Sequence, residues 1–112
     1  MTKQDVLKQY FGHSAFRAGQ EQVIDAILGG RDVLCVMPTG AGKSLCYQVP
    51  ALMSEGVTLV ISPLISLMKD QVESLVQAGV PAAYVNGTLT YSQYEQVLWN
   101  IRGGVYKLIY VA

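Results

Sequence analysis

The densest chemistry in the chain lies in eight consecutive residues: Met37, Pro38, Thr39, Gly40, Ala41, Gly42, Lys43 and Ser44. Gly40 and Gly42 let the backbone curl so that successive N–H groups point inward. Together with the start of a following helix they make a nest for an anion. Lys43 would set its ammonium on the β- and γ-phosphates of a nucleotide, and Ser44 would offer a hydroxyl to Mg²⁺. Thr39 adds a further donor, and Pro38 and Ala41 complete the loop around the phosphates. Met37 stands where the usual pattern has its first Gly. The competing interpretation is a glycine-rich turn that only joins a strand to a helix.

This motif works only between a strand and a helix, so the flanking elements matter. Four short apolar runs recur along the chain: residues 32–37, 57–62, 82–85 and 105–111. Their Val, Ile and Tyr content predicts strands, and their continuity predicts strands buried on both faces. Residues 64–78 place Leu64, Leu67, Met68, Val72, Leu75 and Val76 near one helical face, with Gly79 as the stop. Residues 90–102 do the same with Tyr94, Val97, Leu98 and Ile101 before Gly103 and Gly104. A helix over residues 19–28 ends at Gly29 and Gly30, and Thr2 with Asp5 predicts a capped helix at the start of the chain. Strands alternating with helices predict an α/β fold with a parallel sheet and helices on both faces. No linker, repeat or domain boundary is evident.

Composition narrows the class. The chain has 112 residues, of which 51% are hydrophobic and 14% charged, which suits one small folded domain and argues against disorder. Eight basic residues balance eight acidic ones, so net charge does not signal a nucleic-acid clamp, although a local patch can hide in a neutral total. Cys35 and Cys46 lack paired metal-ligand spacing and are expected as reduced thiols. A single histidine, His13, without clustered Cys or carboxylates does not suit a metal site. The polar N-terminus has no secretory signal pattern, and no apolar run is long enough to cross a bilayer. The expected location is cytoplasmic, with nucleoid association if the source is bacterial.

Three blocks in order resemble the RecQ family of DNA helicases. Residues 10–24 (YFGHSAFRAGQEQVI) are similar to that family's motif 0, residues 36–50 (VMPTGAGKSLCYQVP) to motif I, and residues 61–71 (ISPLISLMKDQ) to motif Ia. The Pro-Thr-Gly-x-Gly-Lys-Ser form is also the one common in superfamily 2 helicases and translocases. The resemblance implies a RecA-like P-loop NTPase fold, ATP and Mg²⁺ as cofactors, and DNA as partner. It implies that Gln20 reads adenine, whose N6 donor and N7 acceptor match a carboxamide. It also implies that Arg17 stacks on the base or holds a phosphate and that His13 packs over the base. An ordinary surface histidine remains the alternative at His13, and a solvated helix residue the alternative at Gln20. Ser62, Pro63 and Leu64 would meet a phosphate of single-stranded DNA through the Ser62 hydroxyl and nearby amides, with Lys69 the nearest cation. On physics alone, Ser62 and Pro63 serve equally as a strand-to-helix turn. Asn86 and Gly87 favour a turn over a second DNA-contact loop. Trp99 and Tyr91, Tyr94, Tyr106 and Tyr110 are expected mostly in the core rather than as stacking platforms.

The resemblance also implies an Asp-Glu-Ala-His segment that holds Mg²⁺ and orients water, and no Asp-Glu pair occurs in these residues. The expectation is therefore a partial RecA-like domain, truncated before that motif. Residues 1–112 would be the N-terminal part of a helicase ATP-binding domain, carrying motifs 0, I and Ia. Alone it should bind nucleotide weakly without turnover, and its uncovered apolar surfaces should favour self-association. The alternative is a stand-alone P-loop module that binds nucleotide without helicase activity. A small-molecule kinase or transferase is a third class, which residues 10–24 and 61–71 do not serve.

Overall fold

The computed structural model describes residues 1–38 and 42–112; the expectations placed on Thr39, Gly40 and Ala41 lie outside the described residues. The chain divides into two compact units, Met1–Glu55 and Gly56–Ala112. Each is described by itself.

The first unit is helical: α1 (Lys3–Phe11), α2 (Gln20–Leu28) and α3 (Leu45–Met53). The predicted cap of α1 is present. Asp5 N–H donates to Thr2 Oγ1 at 3.1 Å and Thr2 N–H donates to Asp5 Oδ2 at 3.0 Å, which satisfies two otherwise unpaired amides. Hydrogen bonding of the ionised carboxylate by the Thr2 backbone amide first, and by the Thr2 side chain second, holds the Asp5 carboxyl below its ordinary value. Gly12 closes the helix in the left-handed region at φ 72°. α3 packs on both α1 and α2. Val6, Ile24 and Val49, one from each helix, form the buried centre. Lys3 joins α1 to α2 at the surface, reaching Glu21 at 2.9 Å and Asp25 at 2.7 Å.

The strand expected over residues 32–37 is not formed. The segment is irregular, and Leu34 and Val36 are 94% and 90% exposed. A strand is held by a ladder with a neighbour, and every other described element of this unit is a helix. The composition of the run favours extended backbone, but composition supplies no partner.

The second unit alternates β1 (Thr58–Ile61), α4 (Ile65–Gln77), β2 (Ala82–Val85), α5 (Tyr91–Arg102) and β3 (Leu108–Val111). Its three strands form a parallel sheet in the order β1-β3-β2, with Thr58 and Ala82 both in register with Leu108. The expected parallel α/β arrangement is thus found here, and both helices pack on β2. The two crossovers run in opposite directions across the sheet, the arrangement that assigns helices to opposite faces under the right-handed rule.

Burial corrects three further expectations. β3 is central, with Leu108, Ile109 and Tyr110 buried and Val111 half-buried. β1 is an edge strand whose Leu59 and Ile61 are 61% and 79% exposed, so burial on both faces does not extend to it. On α4, Met68, Val72 and Leu75 are buried, whereas Leu64, Leu67 and Val76 at the margins of the stripe are exposed. Of the aromatics expected in the core, Tyr110 is buried and Tyr106 half-buried, but Tyr91, Tyr94 and Trp99 are exposed. They lie on α5, which buries no residue fully. Periodicity groups residues onto a face, and only a neighbouring element can cover that face.

Candidate nucleotide site

In the first unit, a cavity of about 390 Å³ is lined by His13, Ala15, Arg17, Gln20, Gly42, Lys43, Ser44 and Leu45. Residues 13–20 and 42–45 are far apart in sequence, and the packing of α2 on α3 brings their ends together. Gly19 makes the entry to α2 possible with φ 86°, and Gly42 precedes α3 with φ 78°; both values lie where residues with a Cβ are strained. Lys43, Arg17 and His13 are exposed around the cavity, and no Asp or Glu lines it. The Lys43 and Arg17 side chains therefore make the site electropositive, which suits a polyanion.

Gln20 is the exception to the exposed lining, since it is only 1% exposed. Its Nε2 donates to the carbonyl of Gly42 at 3.0 Å, and its Oε1 accepts from the Arg17 amide at 2.8 Å. A solvated helix residue is thereby excluded at this position. Ser44 is the N-cap of α3 but makes no capping hydrogen bond with its side chain, so its hydroxyl is not committed to the helix. The start of α3 is held by backbone bonds, Cys46 N–H to Lys43 O at 3.1 Å and Gln48 N–H to Ser44 O at 3.0 Å. Burial pushes the Cys46 thiol up, away from reactivity. Pro38 is exposed and does not line the cavity.

The residues at the end of β1 belong to the second unit. Ser62 N–H continues the β1–β3 pairing by donating to Val111 O at 2.9 Å. Its hydroxyl accepts from the Leu64 amide at 3.1 Å, and Ile65 N–H donates to Pro63 O at 3.2 Å. These amides are engaged within the turn, so what Ser62 retains for an outside phosphate is its O–H donor. Pro63 and Leu64 are exposed. Asn86 forms the expected turn, its Oδ1 accepting from Thr88 N–H at 2.9 Å.

Two features escaped the sequence reading. Ala15 and Leu45 line the cavity as small and apolar wall residues. The burial of Gln20 had a signal, because Gln20 and Ile24 are one helical turn apart and Ile24 lies in the core.

The cavity at the Gly-Lys-Ser helix start is thus lined by residues of two separate sequence blocks, with cationic side chains around it and no carboxylate among its lining. The sequence matches the DEAD/DEAH box helicase family over residues 17–111, and the chain belongs to that family. It is similar to the ATP-dependent DNA helicase RecQ of Pasteurella multocida, 56% identical over 99% of this chain, and to that of Haemophilus influenzae, 55% identical over 99%. It is also similar to the RecQ of Bacillus subtilis, 51% identical over 96%. The chain spans 18% of the length of each of these relatives. The parallel sheet with its helices is the architecture of a partial RecA-like helicase domain.

Proposed function

We propose that residues 1–112 are the N-terminal part of the ATP-binding domain of a RecQ-like, ATP-dependent 3′-to-5′ DNA helicase that unwinds DNA in recombination and repair. The observation that carries this is the single cavity uniting His13, Arg17 and Gln20 with Gly42, Lys43 and Ser44. Lys43 meets the β- and γ-phosphates, and the uncommitted Ser44 hydroxyl is the ligand these residues offer to Mg²⁺, a hard cation that prefers oxygen. Thr39, Gly40 and Ala41 complete the phosphate loop, and Pro38 leads into it. Gln20 keeps one N–H and one lone pair beyond its two internal bonds, which supports adenine as the base. His13 and Arg17 flank that base. Ser62, Pro63 and Leu64, with Lys69, meet the backbone of single-stranded DNA. In a bacterial cell such an enzyme is nucleoid-associated.

Titration calorimetry with ATP and Mg²⁺ tests the reading. Binding by the unaltered protein, preference for ATP over GTP, and loss of binding in Lys43→Ala are expected. Equal binding of both nucleotides, or retention of ATP by Lys43→Ala, would overturn it. The absence of carboxylates from the cavity lining favours, for these residues alone, binding without turnover.

A further inference from the structure

We propose that Gln20 is a positioning residue for the phosphate loop itself, a role separate from any contact with the base; the proposal rests on the reading of the cavity as a polyphosphate site. Gln20 reaches across 22 residues of sequence to hold the carbonyl of Gly42 at 3.0 Å. The Arg17 amide holds the other end of the same carboxamide at 2.8 Å. That second bond fixes which way the carboxamide faces. A flipped amide would set its NH₂ against the Arg17 N–H and its oxygen against the Gly42 carbonyl, two mismatched pairs. Gln20 is also buried, 1% exposed, with both of its polar ends engaged by the protein.

The consequence for phosphate follows from peptide geometry. The Gly42 carbonyl and the Lys43 N–H belong to one planar trans unit and point in opposite directions. Drawing the carbonyl towards Gln20 turns the Lys43 N–H away from it, as a donor for an anion. It also withdraws a carbonyl oxygen, which repels phosphate, from the path of the ligand. Gly42 accepts this orientation at φ 78°. A Cβ built on Gly42 would collide with Gln20 Nε2, so the glycine and the glutamine are fitted to each other.

The test separates phosphate from base by using tripolyphosphate, which has no base, beside ATP. Gln20→Ala and Gln20→Met are measured in the intact protein by titration calorimetry; Met keeps the buried volume and removes both polar ends. Both variants should weaken tripolyphosphate, roughly tenfold for a lost buried hydrogen bond, and ATP by at least that factor. If ATP weakens and tripolyphosphate does not, Gln20 serves the base alone and the proposal fails while the site reading stands. Failure of the unaltered protein to bind either ligand would overturn the site reading and this proposal with it.

A double-mutant cycle then distinguishes positioning from general destabilisation. Gly42→Ala is introduced with Gln20 present and with Gln20→Ala. The backbone strain at Gly42 is common to both and cancels. The clash with the carboxamide exists only in the first, so the loss of tripolyphosphate affinity should be smaller in the second. Equal losses would overturn the proposal.

Discussion

Lys43 stands exposed at the rim of the cavity, outside the buried centre made by Val6, Ile24 and Val49. On the function proposed above, its ammonium serves the ligand and not the fold. Lys43→Ala should reduce tripolyphosphate affinity by roughly 1.5–3 kcal/mol, the worth of a hydrogen bond to a charged group. Its circular dichroism spectrum and melting curve should stay those of the parent. A coincident loss of helix would show that the side chain supports structure instead. Residue types and spacing nominated Lys43 and Ser44, whereas Gln20, Arg17 and His13 were nominated by the resemblance to the RecQ family. What they could not reveal is the bond from Gln20 to Gly42. A contact across that span depends on how two helices pack, and no local pattern encodes it.

At the scale of elements, the sequence was most legible where the determinant is local. Capping boxes are four-residue devices: the expected Thr2–Asp5 box forms as a reciprocal pair, and so does Thr90–Gln93, which the sequence reading had not singled out. Thr90→Ala should cost about 1 kcal/mol of stability, read from urea unfolding; an unchanged midpoint would show that the cap on α5 is idle. The first box also carries a pH dependence. Folding lowers the Asp5 carboxyl from its ordinary 3.8, so its stabilisation is present above that value and is lost as pH falls through the lower folded value. Helicity of the unaltered protein should therefore exceed that of Asp5→Ala at neutral pH, and the two should converge in acid. A gap that persists in acid would mean that the carboxylate is not its source. Legibility failed where the determinant is a neighbour. Residues 32–37 have the content of a strand but no ladder in their unit, and the aromatics of α5 share a face that no element of the second unit fully covers.

For the molecule as a whole, two properties follow from surface and charge. Leu59 and Ile61 on the edge strand and Trp99, 69% exposed, leave large apolar side chains in water. An unpaired edge with such residues is a template for association. We expect the 112-residue polypeptide to self-associate with rising concentration in sedimentation velocity, and Ile61→Lys to weaken that association. A monomer at all concentrations would contradict this. Among the described residues, no helix is long and apolar enough to cross a membrane, so these apolar side chains are not part of a helical span there. The second property is catalytic. Hydrolysis of ATP requires a held γ-phosphate, a fixed metal and a water aligned for attack. On the function proposed above, Lys43 serves the first and the Ser44 hydroxyl the second, but none of the Asp and Glu residues of the first unit lines the cavity. Asp5 is engaged in the cap of α1, and Glu21 and Asp25 are paired with Lys3. Losing such positioning and electrostatics lowers a rate by orders of magnitude. The 112-residue polypeptide should accordingly bind ATP yet release phosphate no faster than its Lys43→Ala variant in a steady-state assay. Turnover that the substitution abolishes would mean that a carboxylate outside the cavity lining reaches the γ-phosphate when ligand is bound.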